Sequence, residues 1–388
     1  MAKSRALKTY AKKSWEPELR ARTAKISRTG DFINDQNLKI RWYSWDVPDP
    51  QAIVVFAHGL GVYGSFEMLT ARPIGGVREH YAGSWPERFN AANVSLFCID
   101  HQGHGRSDSS RPGTRCYFER ADDLARDFTQ FVELIKRDSK RPVPVFMIGS
   151  SLGGLVVVKA AIATPSVASG VVALAPCISL DRISKGTMNR VLLPILGFVS
   201  AWFPTLPLAK TIANARFPLT QAEVERDALT WPSGKKRTRA RVAKELLDST
   251  FEFKKPGVLE RITMPLIAFH GKDDQMTDPW GSQMLADRAS SSSSEVRWVD
   301  DVFHDLCHEK PGCDVLCDEI IEWCRERIND KLALSSSSSS SSSNKRAKTT
   351  RVAKREARPR APRRASKPSK PSKTAPTDEP TRRTRRGV

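Results

Sequence analysis

From about residue 30 onward, short apolar runs alternate with longer amphipathic stretches. The runs 38–45, 52–57, 94–100, 143–148, 170–175, 266–270 and 296–300 read as strands. Several are apolar at nearly every position, as required of central parallel strands covered on both faces. Helical patterns occupy 121–136 and 152–163, and a last one spans 313–327. Strand and helix in alternation predict an α/β fold, a mostly parallel central sheet with helices on both faces.

The alternation breaks between Pro176 and Ile262, so residues of about 177–261 form an insertion between two strands, a candidate cap or lid. Within it, 191–208 carries no charge over 18 residues but contains Pro194, Gly197, Pro204 and Pro207. Those residues predict interrupted apolar segments and argue against a membrane-spanning helix. A basic stretch, 233–248, has a helix-like pattern. After Leu334 come nine serines, 335–343, and then a tail of Lys, Arg, Pro and Ala with almost no large apolar side chains. Such a composition buries too little surface to offset the entropy of ordering, and 335–388 is expected to be disordered. Three parts result: a basic extension at 1–29, an α/β domain at 30–334, and the tail.

Charge sharpens that division. Residues 344–388 hold 17 Lys+Arg against 3 Asp+Glu, which is +14 of the formal +20 and leaves +6 for 1–343. The tail has the composition of a nuclear import signal, with Lys345 to Lys348 followed by 351–364, or of a handle for nucleic acid or anionic lipid. Without aromatics it offers phosphate contact rather than base stacking. Seven cysteines, an odd number at irregular spacing, do not form a disulfide framework, and they point to a reducing compartment such as the cytoplasm. The polar N-terminal segment lacks the apolar stretch of a secretory signal, and Glu16 and Glu18 with few serines weigh against a transit peptide. Cys307, His308, Cys313 and Cys317 lack the paired C-x2-C spacing of zinc sites, so neither metal nor cofactor is expected.

The chemistry-bearing residues follow the strands. Val145 to Gly154 runs from a strand through Gly149-Ser150-Ser151-Leu152-Gly153 into a helix, the G-x-S-x-G form in which a sharp turn exposes the central serine. Ser151 is the candidate nucleophile, and Ser150 the competitor outside the glycine frame. A serine hydroxyl near neutral pH needs a base held by an acid, and in this kind of fold the order is Ser, acid, His. The run 266–270 ends in Gly271, followed by Asp273, Asp274 and Asp278 as candidate acids. The loop after the last strand offers His304, with His308 as the alternative base. An oxyanion needs two N–H donors. The amide of Leu152 is one, and the Gly-rich turn His58-Gly59-Leu60-Gly61 supplies the other at Leu60. Asp100 and the turn Gly103-His104-Gly105 are read as turn-forming.

Together, H-G-x-G after a strand, the segment Asp100 to Ser107, G-x-S-x-G-G, His270-Gly-x-x-Asp274 and the late His304 resemble the monoacylglycerol lipase and lysophospholipase branch of the α/β-hydrolases over roughly residues 30–330. The resemblance implies Asp274 as the acid, the last residue of H-G-x-x-D, and His304 as the base. It also implies that the insertion is a mobile apolar cap meeting a lipid bilayer, a role that suits 191–208. Two features depart from that pattern: Ser150 stands before the nucleophile, where the family often has His, and 71–81 lengthens the loop after the oxyanion turn. The expected activity is hydrolysis of a lipid carboxylic ester, monoacylglycerol or lysophospholipid, through an acyl-enzyme. A small-ester carboxylesterase and an acyltransferase are the neighbouring readings. A hydrolase-fold scaffold that binds nucleic acid or membrane through its tail is the reading of another class. Expected partners are the lipid ester, a membrane surface met by the cap, and phosphates met by the tail.

Overall fold

Sequence runs with no polar side to turn toward water become the centre of the sheet. The computed structural model describes residues 8–10, 26–184, 187–309 and 313–330, and nine of its strands form one sheet. In chain order they are β1 (Lys8–Tyr10), β2 (Arg28–Ile33), β3 (Lys39–Trp45), β4 (Ala52–Ala57), β5 (Val94–Ile99), β6 (Val145–Ser150), β7 (Gly170–Leu174), β8 (Leu266–Gly271) and β9 (Ser294–Val299). Their spatial order is β1-β2-β3-β5-β4-β6-β7-β8-β9. Strands β4 to β9 are parallel to one another, and β1 to β3 join antiparallel at one edge. All seven expected strands are present, and the mostly parallel sheet is the one the alternation predicts.

Every residue of β4, β5, β6 and β7 is buried. Because successive side chains point to opposite faces, each strand feeds two cores. Val55 packs in one core with Leu124, Phe128 and Leu155, while Val54 and Phe56 pack in the other with Phe89, Ile320 and Trp323. Helix Ala121–Asp138 buries Leu124, Phe128, Phe131 and Ile135 along one stripe. Its first turn carries Asp122 and Asp123 and its last Lys136 and Arg137, which complements the helix dipole. Helix Leu152–Ala163 is buried on almost every side, and a final helix spans 313–330.

The structure departs from expectation in four places. Strand β2 reads poorly because Gly30 and Asp31 interrupt it, yet Asp31 is buried against Arg41 of β3 at 2.6 Å. The sheet thereby reaches into the stretch expected to be an extension. Helices Trp85–Ala91 and Pro279–Arg288 were not expected, and each starts at a side-chain cap, Ser84 and Asp278. In the insertion, helix Thr187–Trp202 runs through Pro194 and Gly197, where a break was expected. One missing N–H leaves the other turns bonded, whereas Pro204 and Pro207 lie past the helix end, where no such bond is needed. The basic stretch 233–248 becomes helical only from Ala240. Gly234 before it sits at φ +80°, a turn conformation.

The insertion between β7 and β8 also holds helices Asp181–Ser184 and Pro218–Arg226, and a two-stranded ribbon of Pro207–Ala209 with Thr238–Arg239. Among the described residues no helix is long and apolar enough to cross a membrane. The serine run and basic tail, 335–388, lie outside the described residues.

Candidate active site

Four of the parallel strands deliver chemistry-bearing residues just past their C-terminal ends, the edge where open parallel sheets bind ligands. His58 follows β4, Ser151 follows β6, Asp274 lies beyond β8, and His304 is in the loop after β9.

Ser151 sits at φ +53°, ψ −110°, between the end of β6 and the first residue of helix Leu152–Ala163. A non-glycine residue there is strained, and the flanking glycines are what make the turn fit. A Cβ on Gly153 would lie 1.9 Å from the Ala57 carbonyl oxygen, and one on Gly149 would lie 2.2 Å from the Gly153 carbonyl oxygen. The turn is tied down by Ser151 N–H to Leu174 O at 2.9 Å and Cys177 N–H to Ser151 O at 3.0 Å.

Ser151 Oγ lies 3.0 Å from His304 Nε2, and His304 Nδ1 lies 2.7 Å from Asp274 Oδ2. Asp274 is fully buried and surrounded by donors: Met276 N–H at 2.7 Å and Thr277 N–H at 3.1 Å on Oδ1, Thr277 Oγ1 at 2.8 Å and His270 Nε2 at 3.1 Å on Oδ2. Burial alone would raise the Asp274 carboxyl, but His304 and the hydrogen bonds from both histidines hold it well below the usual carboxylate range. Burial works against a charged His304, and the Asp274 carboxylate reverses it, raising the imidazole above its ordinary value. Such an arrangement can move a proton from Ser151 to His304 and stabilise the imidazolium.

The other candidates are engaged elsewhere. Asp273 is exposed and accepts from Arg216 at 3.0 Å. Asp278 caps helix Pro279–Arg288. His308 lies with Nδ1 2.9 Å from Arg78 Nη1 and Nε2 3.1 Å from Leu69 O. Ser150 is buried next to Glu67, whose carboxyl it helps to hold down. Asp100 accepts from the amides of Gly64 and Arg106, both at 2.9 Å. A Cβ on Gly105 would lie 2.2 Å from its Oδ2, consistent with a turn-forming role.

Leu60 and Leu152 line the same cavity as Ser151 and His304. As the first residue of its helix, Leu152 has an N–H that no intrahelical acceptor can take. The turn carrying Leu60 is held by Glu67, which accepts Gly59 N–H at 2.7 Å, and by His58. His58 Nε2 accepts His101 N–H at 2.8 Å, which leaves Nδ1–H to donate to Gly59 O at 2.8 Å. Burial, with His101 and His104 nearby, keeps His58 neutral by lowering its pKa well below 6.5. Burial pushes the Glu67 carboxyl up to about 7, with Asp305 adding to the rise.

Sequence reasoning passed over several residues that shape this site: Glu67, Arg78, His270, Thr277 and Glu309. Glu309 accepts the backbone N–H groups of Phe303, of His304 at 3.0 Å and of Asp305 at 2.8 Å, holding the loop that carries the histidine. His270 stands inside the motif His270-Gly-x-x-Asp274 and was legible there as a neighbour of the chosen acid. Glu67 and Arg78 had no such signal.

The cavity has a volume of about 560 Å³, within the ~300–1,000 Å³ usual for small-molecule sites. The insertion supplies much of its apolar wall through Leu196, Leu208, Ile212, Val224, Leu246 and Leu247. It is bonded to the turn carrying Leu60 by Trp231 N–H to Gly61 O at 2.6 Å, and Tyr63 Oη donates to Asp227 at 2.9 Å. Around the outside, Phe198, Trp202 and Phe203 are 62%, 71% and 59% exposed.

A family model described as serine aminopeptidase, S33, matches residues 76–311, well over half of the chain. The chain belongs to this family. It is similar to a monoacylglycerol lipase of Mycolicibacterium smegmatis, 24% identical over 71% of this chain and 88% of that one. A monoglyceride lipase of Rattus norvegicus is 25% identical over 72% of this chain and 84% of its own length. Among solved structures, a monoacylglycerol lipase of Paleococcus ferrophilus superposes with a TM-score of 0.58 at 20% identity, covering 74% of this chain and 99% of that chain. A soluble variant of the Saccharomyces cerevisiae monoglyceride lipase, bound to a substrate analogue, gives a TM-score of 0.60 at 16% identity, covering 82% and 98%. The chain is thus an α/β-hydrolase of monoacylglycerol lipase type, and by class an ester hydrolase.

Proposed function

We propose that the enzyme hydrolyses a lipid carboxylic ester, monoacylglycerol before lysophospholipid, with Ser151 as nucleophile, His304 as general base and Asp274 as its acid. The observation that carries this reading is the hydrogen-bonded run Ser151 Oγ, His304 Nε2, His304 Nδ1, Asp274 Oδ2, at 3.0 and 2.7 Å, opening onto an apolar cavity. His304 takes the serine proton as Ser151 attacks the ester carbonyl. The Leu60 and Leu152 amides hold the oxyanion, and the alcohol leaves with a proton from His304. Water, activated by the same histidine, then frees the fatty acid. Monoacylglycerol is placed first because the relatives matched over most of this chain are a monoacylglycerol lipase and a monoglyceride lipase.

Residues of about 177–261 act as the cap in this reading, and Phe198, Trp202 and Phe203 are the surface that meets lipid. A small-ester carboxylesterase is the second reading, favoured by similarity to a caffeoylshikimate esterase of Arabidopsis thaliana, 24% identical over 62% of this chain. Hydrolysis of a panel of long-chain monoacylglycerols, lysophospholipids and short p-nitrophenyl esters separates the two. The highest kcat/KM is expected on long-chain monoacylglycerol. A higher value on the short esters would replace the lipase reading with the esterase one.

A further inference from the structure

The loop that carries His304 is bonded directly to the insertion, at two points. At the first, Arg78 lies between them with its side chain 1% exposed. Its Nε donates to Glu223 of helix Pro218–Arg226 at 2.7 Å, its Nη2 to Asp305 at 2.9 Å, and its Nη1 lies 2.9 Å from His308 Nδ1. Two nitrogens of the guanidinium thus face carboxylates and the third faces the His308 ring, whose Nδ1 also lies 3.0 Å from Asp305 Oδ1, so Arg78 acts through the loop although it borders the cavity. Glu223 also accepts Gly75 N–H at 2.8 Å, and Arg226 donates to Gly75 O, which fastens the same helix to the lengthened 71–81 segment. That segment forms a ribbon of Thr70–Ala71 with Arg78–His80. At the second point, Asn214 of the insertion donates from Nδ2 to Glu309 Oε1 at 2.6 Å, and Glu309 is the carboxylate that collects the N–H groups of the His304 loop.

A charged side chain this deeply buried is costly unless its partners stay in place. Withdrawing the insertion would leave Arg78 short of the Glu223 carboxylate and Glu309 short of Asn214. Asp305, the other end of the Arg78 bridge, is the residue next to His304. We propose that Arg78 is a positioning residue that clamps the His304 loop to the insertion, so that the base is aligned on Ser151 only while the insertion is seated. This rests on the reading of His304 as the base. The fit of the polar groups supports it: burial would raise the Asp305 carboxyl, but His308 and Arg78 hold it well below the usual range.

The test compares Arg78→Lys, Arg78→Gln and Glu223→Gln with the wild type on a soluble ester, each rate divided by the active sites counted in a phosphonate burst. Counting removes the effect of protein that fails to fold. Glu223→Gln, outside the cavity lining, is expected to lower kcat per site by roughly 10-fold with KM little changed, as misalignment of a reacting group does. Arg78→Lys keeps the charge but loses the fork, so a similar loss in kcat is expected with the acid limb of the pH profile in place. Arg78→Gln is expected to move that limb to higher pH. The groups facing His304 are then the carboxylates of Asp274, Glu309 and Asp305 with one cation fewer, and Glu67, Glu223 and His308 border the vacated place. Unchanged kcat per site in both Glu223→Gln and Arg78→Lys would overturn the clamp. The parent reading fails differently: in that case Ser151→Ala and His304→Ala would retain turnover, whereas failure of the clamp alone would leave both without activity.

Discussion

The sheet and the insertion are both rich in large apolar residues, but they use them in opposite ways. In β4 to β7 every side chain is buried, and two of these strands, β4 and β6, end at His58 and Ser151. In the insertion, Ile195, Phe198, Trp202, Phe203 and Leu206 are exposed while their neighbours Leu196 and Leu208 line the cavity. The sheet spends its hydrophobicity on rigidity, which the strained serine turn requires. The insertion leaves its own at the surface, where the proposed reading has substrate cover it inside and lipid outside. If so, variants in the sheet-borne residues should abolish chemistry on every substrate, and variants on the outer face of the insertion should change only access to lipid.

The largest effect is expected from Ser151→Ala. In a serine hydrolase of another fold, loss of the nucleophile costs roughly a millionfold in kcat, and a comparable loss should appear here on soluble and vesicle-borne esters alike. A loss confined to vesicles would erase the division between the two regions. Next comes Asp274→Asn, for which kcat should fall about 10⁴-fold. His304 must be neutral to accept a proton, and Asp274 raises its pKa, so the acid limb of the wild-type profile should lie above pH ~6.5. Without the carboxylate that limb should move to lower pH, measured as kcat/KM across the range.

The division between the regions also governs what was legible in the sequence. Fully buried strands such as β4 to β8 announce themselves as continuous apolar runs, and all seven expected strands are there, the half-exposed β9 among them. Strand β2 hid because its buried pair, Asp31 with Arg41, looks polar in sequence although it is satisfied in space. The order of Ser151, Asp274 and His304 was readable because each follows a strand with a local motif. Arg78 was not, since its partners Glu223, Asp305 and His308 lie 145, 227 and 230 residues away. Helix Thr187–Trp202 was misjudged because prolines were weighed alone, without the turns on either side that carry the helix.

Smaller effects sharpen the comparison on the insertion side. Phe198→Ser with Trp202→Ser removes two exposed rings whose centroids are 6.1 Å apart. Burying such a side chain contributes about 1.5–3 kcal/mol when complete, so binding to vesicles should weaken by roughly 10-fold or more, read by co-sedimentation. Turnover of a short soluble ester should not change. Smallest of all, deletion of 335–388 should leave turnover of soluble ester within about twofold of the full chain, since a basic segment acts on phosphate electrostatically and a neutral soluble ester offers it none. A large loss there would mean that the tail belongs with the catalytic unit.

The most direct test of Ser151 as nucleophile is covalent capture. The enzyme is titrated to inactivation with a long-chain p-nitrophenyl phosphonate, and the modified peptide is mapped by mass spectrometry. One phosphonate per chain, carried on Ser151 and absent from the inactive Ser151→Ala protein, is the predicted result. A label on the adjacent Ser150 or on Cys177, or full inactivation with Ser151 unmodified, would contradict it.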